Sequence, residues 1–257
     1  MDTVLLTGAA GIVGTLLRPL LAGRYPKLLL TDIAEVIDLA PNESFDQGDI
    51  TEPEFVRSLT ARVDGIIHLA GKVGPDFSYD EVLGPNIIGT HNIFQAAKDA
   101  GIKQIINASS HHAVGCYQRG EHIDHQTPPR PDSNYGLSKA FSEASASCFA
   151  DKFAMNILSI RIGFVGEQVI DERRLHTWCS PRDLAQLIHL GLSNFDLGHQ
   201  IVYGVSENPD PFFDNSNATR LGYVPQDRAV DHLADPDIPK HEASDQYIGG
   251  HFASGPN

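Results

Sequence analysis

TVLLTGAAGIVGTLLRPLLAG, residues 3–23, reads as a buried strand, a glycine turn and a helix in immediate succession. The run TVLLTG (3–8) is short and apolar, as a strand covered on both faces should be. Gly8, Gly11 and Gly14 follow at three-residue spacing, and the helix GIVGTLLRPLLAG (11–23) opens within that spacing and stops at Gly23. Glycine permits positive φ and lets a diphosphate approach the backbone. A helix beginning there offers unpaired N–H groups and the positive end of its dipole to phosphate oxygens. The turn therefore predicts a dinucleotide site built from Gly8, Gly11, Ile12, Val13 and Gly14. Asp32 ends the next strand, KLLLTD (27–32), about 20 residues past the turn, where a carboxylate accepts from adenosine ribose hydroxyls and repels a 2′-phosphate. That predicts NAD in preference to NADP.

Outward from this unit the pattern repeats. DGIIHLAG (64–71), KQIINASS (103–110), NILSIRIG (156–163) and HQIVYG (199–204) read as strands. NIIGTHNIFQAAKDAG (86–101), SNYGLSKAFSEASASCFADKF (133–153) and SPRDLAQLIHLGL (180–192) read as helices, the last with a serine cap and a first-turn proline. Apolar strands alternating with helices predict an α/β fold, a doubly wound (Rossmann) parallel sheet. In such a sheet the carboxyl ends of the strands face the ligand crevice. GDI (48–50) stands where a third strand should end, so Asp49 and Ile50 are expected to frame the adenine. Leu69, Ala70 and Gly71 are expected beneath the cofactor, the two small residues giving room. Asn86 and Ile162 complete the expected cofactor contacts.

The formal net charge is −14, from 33 acidic and 19 basic residues. Such a surface argues against generic nucleic-acid or anionic-membrane binding. No apolar run approaches the ~20 residues of a membrane span. A strand-like run from Thr3 leaves no room for a signal peptide, and the expectation is a soluble cytoplasmic protein. Cys116, Cys148 and Cys179 are scattered and suggest neither a disulfide framework nor a thiolate metal site. GEHIDH (120–125) crowds Glu121, His122, Asp124 and His125 into a polar loop, but the spacing fits no standard metal site, and no metal is expected. The tail 231–257 is polar and rich in proline and glycine. Alone it has the composition of a disordered segment, and Tyr247 and Phe252 are its expected anchors if it docks.

Tyr135 and Lys139 stand four residues apart in the longest helix, so they share a face. An ammonium beside a phenol favours the phenolate and can make a base near neutral pH. Ser110 ends a strand and should meet the start of that helix in the crevice. Ser110 with Tyr135-x-x-x-Lys139, behind TGxxGxxG, resembles the extended short-chain dehydrogenase/reductases over residues 1 to about 165. The resemblance implies that Tyr135 takes a proton from a substrate hydroxyl as hydride leaves, that Lys139 binds the nicotinamide ribose and lowers the tyrosine pKa, and that Ser110 holds the reacting oxygen.

A closer resemblance, over nearly the whole chain, is to the uronate dehydrogenases, which oxidise C1 of galacturonate or glucuronate with NAD to an aldaric acid lactone. It rests on ASSHHAVGCY (108–117), RIG (161–163), RRLHTW (173–178), DNS (214–216) and GGHF (249–252). It implies one Rossmann domain over 1–257, with the sugar side mainly from 164–180 and 205–257. It also implies sugar contacts from Ser110, His111, His112, Tyr135, Phe164 and Arg173, with Phe252 closing the pocket. Arg173 has the forked donor set a carboxylate needs. Self-association through helices 86–101 and 134–152 is implied as well. Three positions depart from the family pattern. Phe164 stands where a serine is common, His111 where asparagine is usual, and Lys72, Val73 and Gly74 replace a serine-bearing loop. These leave open another aldose, neutral or C6-sulfonated. A sugar-nucleotide epimerase or dehydratase shares the motifs but usually has a larger substrate domain, and a non-catalytic NAD sensor is disfavoured by the intact Tyr135/Lys139 pair.

Overall fold

The computed structural model describes residues 1–238 and 246–254. Its strands are β1 (Thr3–Thr7), β2 (Lys27–Asp32), β3 (Glu43–Gln47), β4 (Gly65–His68), β5 (Gln104–Ser110), β6 (Asn156–Ile162), β7 (Phe164–Val165), β8 (Trp178–Cys179) and β9 (His199–Gly204). Its helices are α1 (Ile12–Ala22), α2 (Pro53–Thr60), α3 (Tyr79–Val82), α4 (Thr90–Asp99), α5 (Asn134–Phe153), α6 (Glu172–Thr177), α7 (Pro181–Ser193), α8 (Ser216–Arg220) and α9 (His251–Ser254). Seven strands form one parallel sheet in the order β3-β2-β1-β4-β5-β6-β9, and β7 pairs with β8 apart from it. The order reverses direction between β1 and β4, and a doubly wound sheet opens its ligand crevice at such a switch.

The apolar runs become strands because both faces of the sheet are covered. On one side Leu6, Leu30, Ile67, Ile106 and Leu158 pack with Leu17 and Leu21 of α1 and with Leu184 and Ile188 of α7. On the other, Leu5, Leu29, Ile66 and Ile105 meet Val56 and Leu59 of α2, Ile93 and Phe94 of α4 and Phe149 of α5. Side chains that alternate in direction along a strand thus both find apolar partners.

Two boundaries differ from the expected ones by three residues or more. β4 stops at His68 rather than 71: the Leu69 N–H still reaches the Thr7 carbonyl at 3.3 Å, but the Ala70 N–H turns to the Thr7 side chain instead of the ladder. The helix expected from residue 86 is entered through a widened π-type turn, Leu83–Gly89, before α4 begins at Thr90. Wide turns of this kind leave the backbone able to place a side chain out of α-helical register. Here that side chain is Asn86, which is buried.

A buried ion pair joins the long helix to the sheet. Glu143 of α5 takes both Arg161 Nε and Nη2 at 2.9 Å, and both side chains are almost wholly enclosed. Arg161 also donates to the Tyr203 hydroxyl at 2.9 Å and to the Thr127 carbonyl at 3.2 Å. The pair thereby ties α5, β6, β9 and the 121–131 loop together.

Candidate active site

The predicted cofactor residues gather along the carboxyl ends of the strands. Gly8 follows β1 with φ +73°, and a Cβ there would lie 2.7 Å from the Ala70 nitrogen. A Cβ on Gly14 would lie 2.3 Å from the Gly8 carbonyl oxygen. The turn and α1 therefore form a cradle that any side chain would fill. Gly11 caps α1 without a side-chain hydrogen bond, and no acidic residue sits in its first turn. Its leading N–H groups are thus left for an anion beside the exposed Ile12 and the partly buried Val13.

Asp32, at the end of β2, accepts from the Ala10 N–H through Oδ2 and from the Ala34 N–H through Oδ1, both at 3.0 Å. Each oxygen keeps a lone pair for a ribose hydroxyl. After β3, Asp49 holds the Thr51 N–H at 2.8 Å, while Ile50 turns inward with Val56 and Ile93. After β4, the Ala70 N–H donates to the Thr7 hydroxyl at 3.2 Å, Leu69 packs against the core, and Gly71 lies against the Asn86 amide. Asn86 clasps the backbone of Lys72 from both sides, at 2.8 and 3.0 Å, and donates to the Ser138 hydroxyl at 2.9 Å. Ile162 closes β6. A cradle for phosphates, a ribose-facing carboxylate and small residues beneath fit a dinucleotide.

Ser110, Tyr135 and Lys139 meet in a buried cluster where β5 ends and α5 begins. Ser133 caps α5 by accepting the Gly136 N–H at 3.0 Å, which fixes the helix start and so the tyrosine. Lys139 Nζ donates to the Ala108 carbonyl at 2.7 Å and sits 5.6 Å from the Tyr135 ring centroid. The expected lowering of the phenol pKa by Lys139 is not the net result. Burial pushes Tyr135 up to about 12, and the Ser110 hydroxyl hydrogen bond pulls it back only in part. Burial also brings Lys139 down to about 8. Desolvation disfavours both charges in an enclosed site, and one ammonium near the ring does not outweigh it.

Beyond the tyrosine lies a wall of histidines. The His112 ring meets Tyr135 edge-on at 5.9 Å, stacks on Phe252 at 3.8 Å and touches His111 at 4.1 Å. His112 Nδ1 donates to Asp132 Oδ2 at 2.6 Å, in a buried pair. Burial holds His112 well below its ordinary pKa and raises Asp132 to about 6. At neutral pH the pair is an ionised carboxylate and a neutral imidazole whose proton sits on Nδ1.

His111 Nδ1 lies 3.0 Å from the Ile162 carbonyl, and its Nε2 lies 2.9 Å from Arg173 Nη2. Arg173 stands on α6, capped by Asp171, and Nη2 also donates to the Ile248 carbonyl at 2.9 Å. Phe164 packs with Val169, Trp178 and Ala229, and the Arg174 guanidinium lies 4.7 Å over its ring. The Lys72 ammonium is half-exposed, 3.7 Å from Glu81 and 4.9 Å over the Phe77 ring.

The tail docks through its glycines. A Cβ on Gly249 would fall 2.0 Å from Asp132 Oδ2, and one on Gly250 (φ +62°) would fall 2.6 Å from Arg173 Nε. Both place bare backbone against a polar side chain of the site, with Phe252 on His112 just beyond. Among the described tail residues Ile248, rather than Tyr247, is the deepest anchor, packed with Val114, Ile123, Tyr203 and Phe213. Residues 239–245 and 255–257 of the tail lie outside the described residues.

Asp132 and Ile248 escape a reading of the sequence. Asp132 is 20 positions from His112, and no spacing rule connects them, although an acid beside a helix cap is a weak signal. Ile248 is one apolar residue in a polar tail. His122 is exposed, 3.9 Å from Asp124 and 4.0 Å from Asp214, and among the described residues no three metal-binding side chains converge. Among them, too, no helix is long and apolar enough to cross a membrane.

A seven-stranded parallel sheet with a glycine turn at its switch point and a Ser/Tyr/Lys cluster defines an NAD-dependent oxidoreductase class, and residues 4–166 match the NAD dependent epimerase/dehydratase family, to which the chain belongs. Within that class it groups with the uronate dehydrogenases. It is 42% identical to the uronate dehydrogenase of Pseudomonas putida over 98% of this chain and 96% of that protein. Glucuronic acid dehydrogenase from Chromohalobacter salexigens superposes with a TM-score of 0.92 at 36% identity, covering 99% and 97% of the two chains. A mutant uronate dehydrogenase from Agrobacterium tumefaciens in complex with NAD gives 0.91 at 34% identity, covering 100% and 98%.

Proposed function

We propose that this chain oxidises a uronate at C1 to the lactone, with Tyr135 as the base and NAD as hydride acceptor. The carrying observation is an unbroken run of contacts from the base to a cation: Tyr135 to His112, His112 to His111, His111 to Arg173. A hydroxyl at the tyrosine end and an anion at the arginine end are the two features of a uronate.

The Gly8–Gly14 turn and Asp32 would hold the diphosphate and the adenosine ribose, with Lys139 toward the nicotinamide ribose. Bound NAD supplies the hydride acceptor and, when oxidised, a positive charge in the crevice. Tyr135 takes the proton of the anomeric hydroxyl, and Ser110 holds that oxygen through the hydroxyl that already engages the phenol. Lys139 is kept against the base by the Ala108 carbonyl and remains mostly protonated at neutral pH, adding positive charge that favours the phenolate. His112, with Nδ1–H committed to Asp132, presents a bare nitrogen that can only accept from a sugar hydroxyl. Arg173 clamps the carboxylate, and Phe252 on the tail covers the histidine wall. Segment 164–180 and the described part of 205–257 supply the rest of this sugar side. The exposed side chains of Ile88, in the wide turn that leads into α4, and of Leu137 on α5 support self-association, read directly by light scattering.

The test is NADH formation on galacturonate, glucuronate, their neutral parent aldoses and C6-sulfonated glucose. Turnover of the uronates with strong preference over the neutral sugars is expected. Inactivity on every aldose would overturn the reading, and preference for the sulfonate would move the substrate while keeping the clamp.

A further inference from the structure

We propose that His111 is a positioning residue that fixes the guanidinium of Arg173, and that this position acts on the sugar through the arginine. The inference rests on Arg173 being the carboxylate clamp.

His111 is buried on the short turn after Ser110, and all of its hydrogen-bonding capacity is taken. The Ile162 carbonyl can only accept, so Nδ1, at 3.0 Å, carries the proton. The Arg173 guanidinium can only donate, so Nε2, at 2.9 Å, must be bare. A single neutral tautomer satisfies both contacts. The ring is flanked as well, by tilted contacts with His112 at 4.1 Å and Phe213 at 6.3 Å. No ring nitrogen remains for a sugar hydroxyl.

Arg173 is fixed in turn. Nη2 has two hydrogens, and they go to His111 and to the Ile248 carbonyl, each at 2.9 Å. Two acceptors on one terminal nitrogen set the plane of the guanidinium and hold its fork before any substrate arrives. Asparagine, usual here in the family this chain resembles, would put its amide near the place of Nδ1. It would reach Ile162 but stop short of the arginine. Glutamine would carry its amide oxygen to about the place of Nε2. The two substitutions therefore separate the two contacts.

The experiment measures kcat and KM for a uronate and for its neutral parent aldose in H111N, H111Q, R173A and the H111N/R173A double variant, with NAD affinity and melting temperature for each. H111N is expected to raise uronate KM about tenfold, the scale of one hydrogen bond to a charged group, with kcat within about twofold and neutral-aldose KM unchanged. H111Q should restore most of the loss. On the R173A background H111N should add nothing, because two residues acting through one contact are not additive. A comparable rise in KM for both sugars in H111N would reveal a direct sugar contact and overturn the inference. So would an equal penalty on both backgrounds, or a KM rise accompanied by lost NAD affinity. If R173A alone leaves uronate KM unchanged, the clamp reading falls, and this inference with it. If R173A raises KM while the two substitutions simply add, only the role of His111 falls.

Discussion

The two halves of the crevice are built on different principles. The cofactor edge, after β1 to β4, is made largely of backbone: a glycine turn, uncapped helical N–H groups and one carboxylate that braces the turn. The sugar edge, after β5 and β6, is made of side chains from four separate segments, with Ser110 to His112, Asp132 to Lys139, Arg173 and the tail held together by contacts of long sequence separation. Backbone sites tolerate few substitutions but need few specifying residues. Side-chain sites can be retuned one residue at a time, and two of the three departures from the family pattern, His111 and Phe164, fall on this second edge, while the Lys72–Gly74 loop follows β4.

The sharpest break between the halves is Tyr135→Phe. Without the hydroxyl, kcat should fall by about 10³-fold, within the range general bases supply, while NAD affinity stays within about twofold. Comparable activity in that variant, measured by NADH formation, would remove the base from the proposal. Next in size is a matched pair of glycine substitutions. Gly14→Ala forces a methyl against the Gly8 carbonyl oxygen and should weaken NAD at least about tenfold. Gly249→Ala forces one against the Asp132 carboxylate and should raise uronate KM by a similar factor with NAD affinity kept. Calorimetric NAD titration beside steady-state kinetics reads both, and the two edges would prove coupled if either variant disturbed both ligands.

The smallest effect expected is on stability. His68 is enclosed between the Thr7 and Thr90 hydroxyls, at 2.8 and 3.0 Å, and burial brings its pKa down to about 3. Its folded pKa lies below the unfolded value, so its contribution is fully present above about pH 6.5 and is lost as pH falls through that value toward 3. At pH 5.5 the loss should be about 1 kcal/mol. The fall in melting temperature between pH 7.5 and 5.5 should shrink in His68→Gln, and an equal fall in both proteins would count against this assignment.

The same contrast explains what the sequence discloses. The glycine turn, Asp32 and the Tyr135/Lys139 pair are legible because each is a local spacing tied to a strand end or a helix turn. HQIVYG matches β9 residue for residue, since an apolar run bounded by polar turns has one extended reading. The pKa of Tyr135 is not legible, because its direction is set by enclosure, a property of the whole fold. Asp132 on His112, Ile248 anchoring the tail and both partners of His111 are closed by tertiary contacts that no short pattern announces. The wide turn that carries Asn86 is likewise invisible to helical periodicity, which reads only that a helix is present.

The Glu143–Arg161 pair has a thermal consequence. The cost of stripping water from ions shrinks as temperature rises, while the apolar contribution per unit area levels off. The joint between the tyrosine-bearing helix and the sheet is therefore one whose relative strength grows on warming. Hydrogen exchange on a heated sample should find the amides around residue 143 among the last to open, leaving the machinery for proton removal in register after the peripheral segments have begun to loosen.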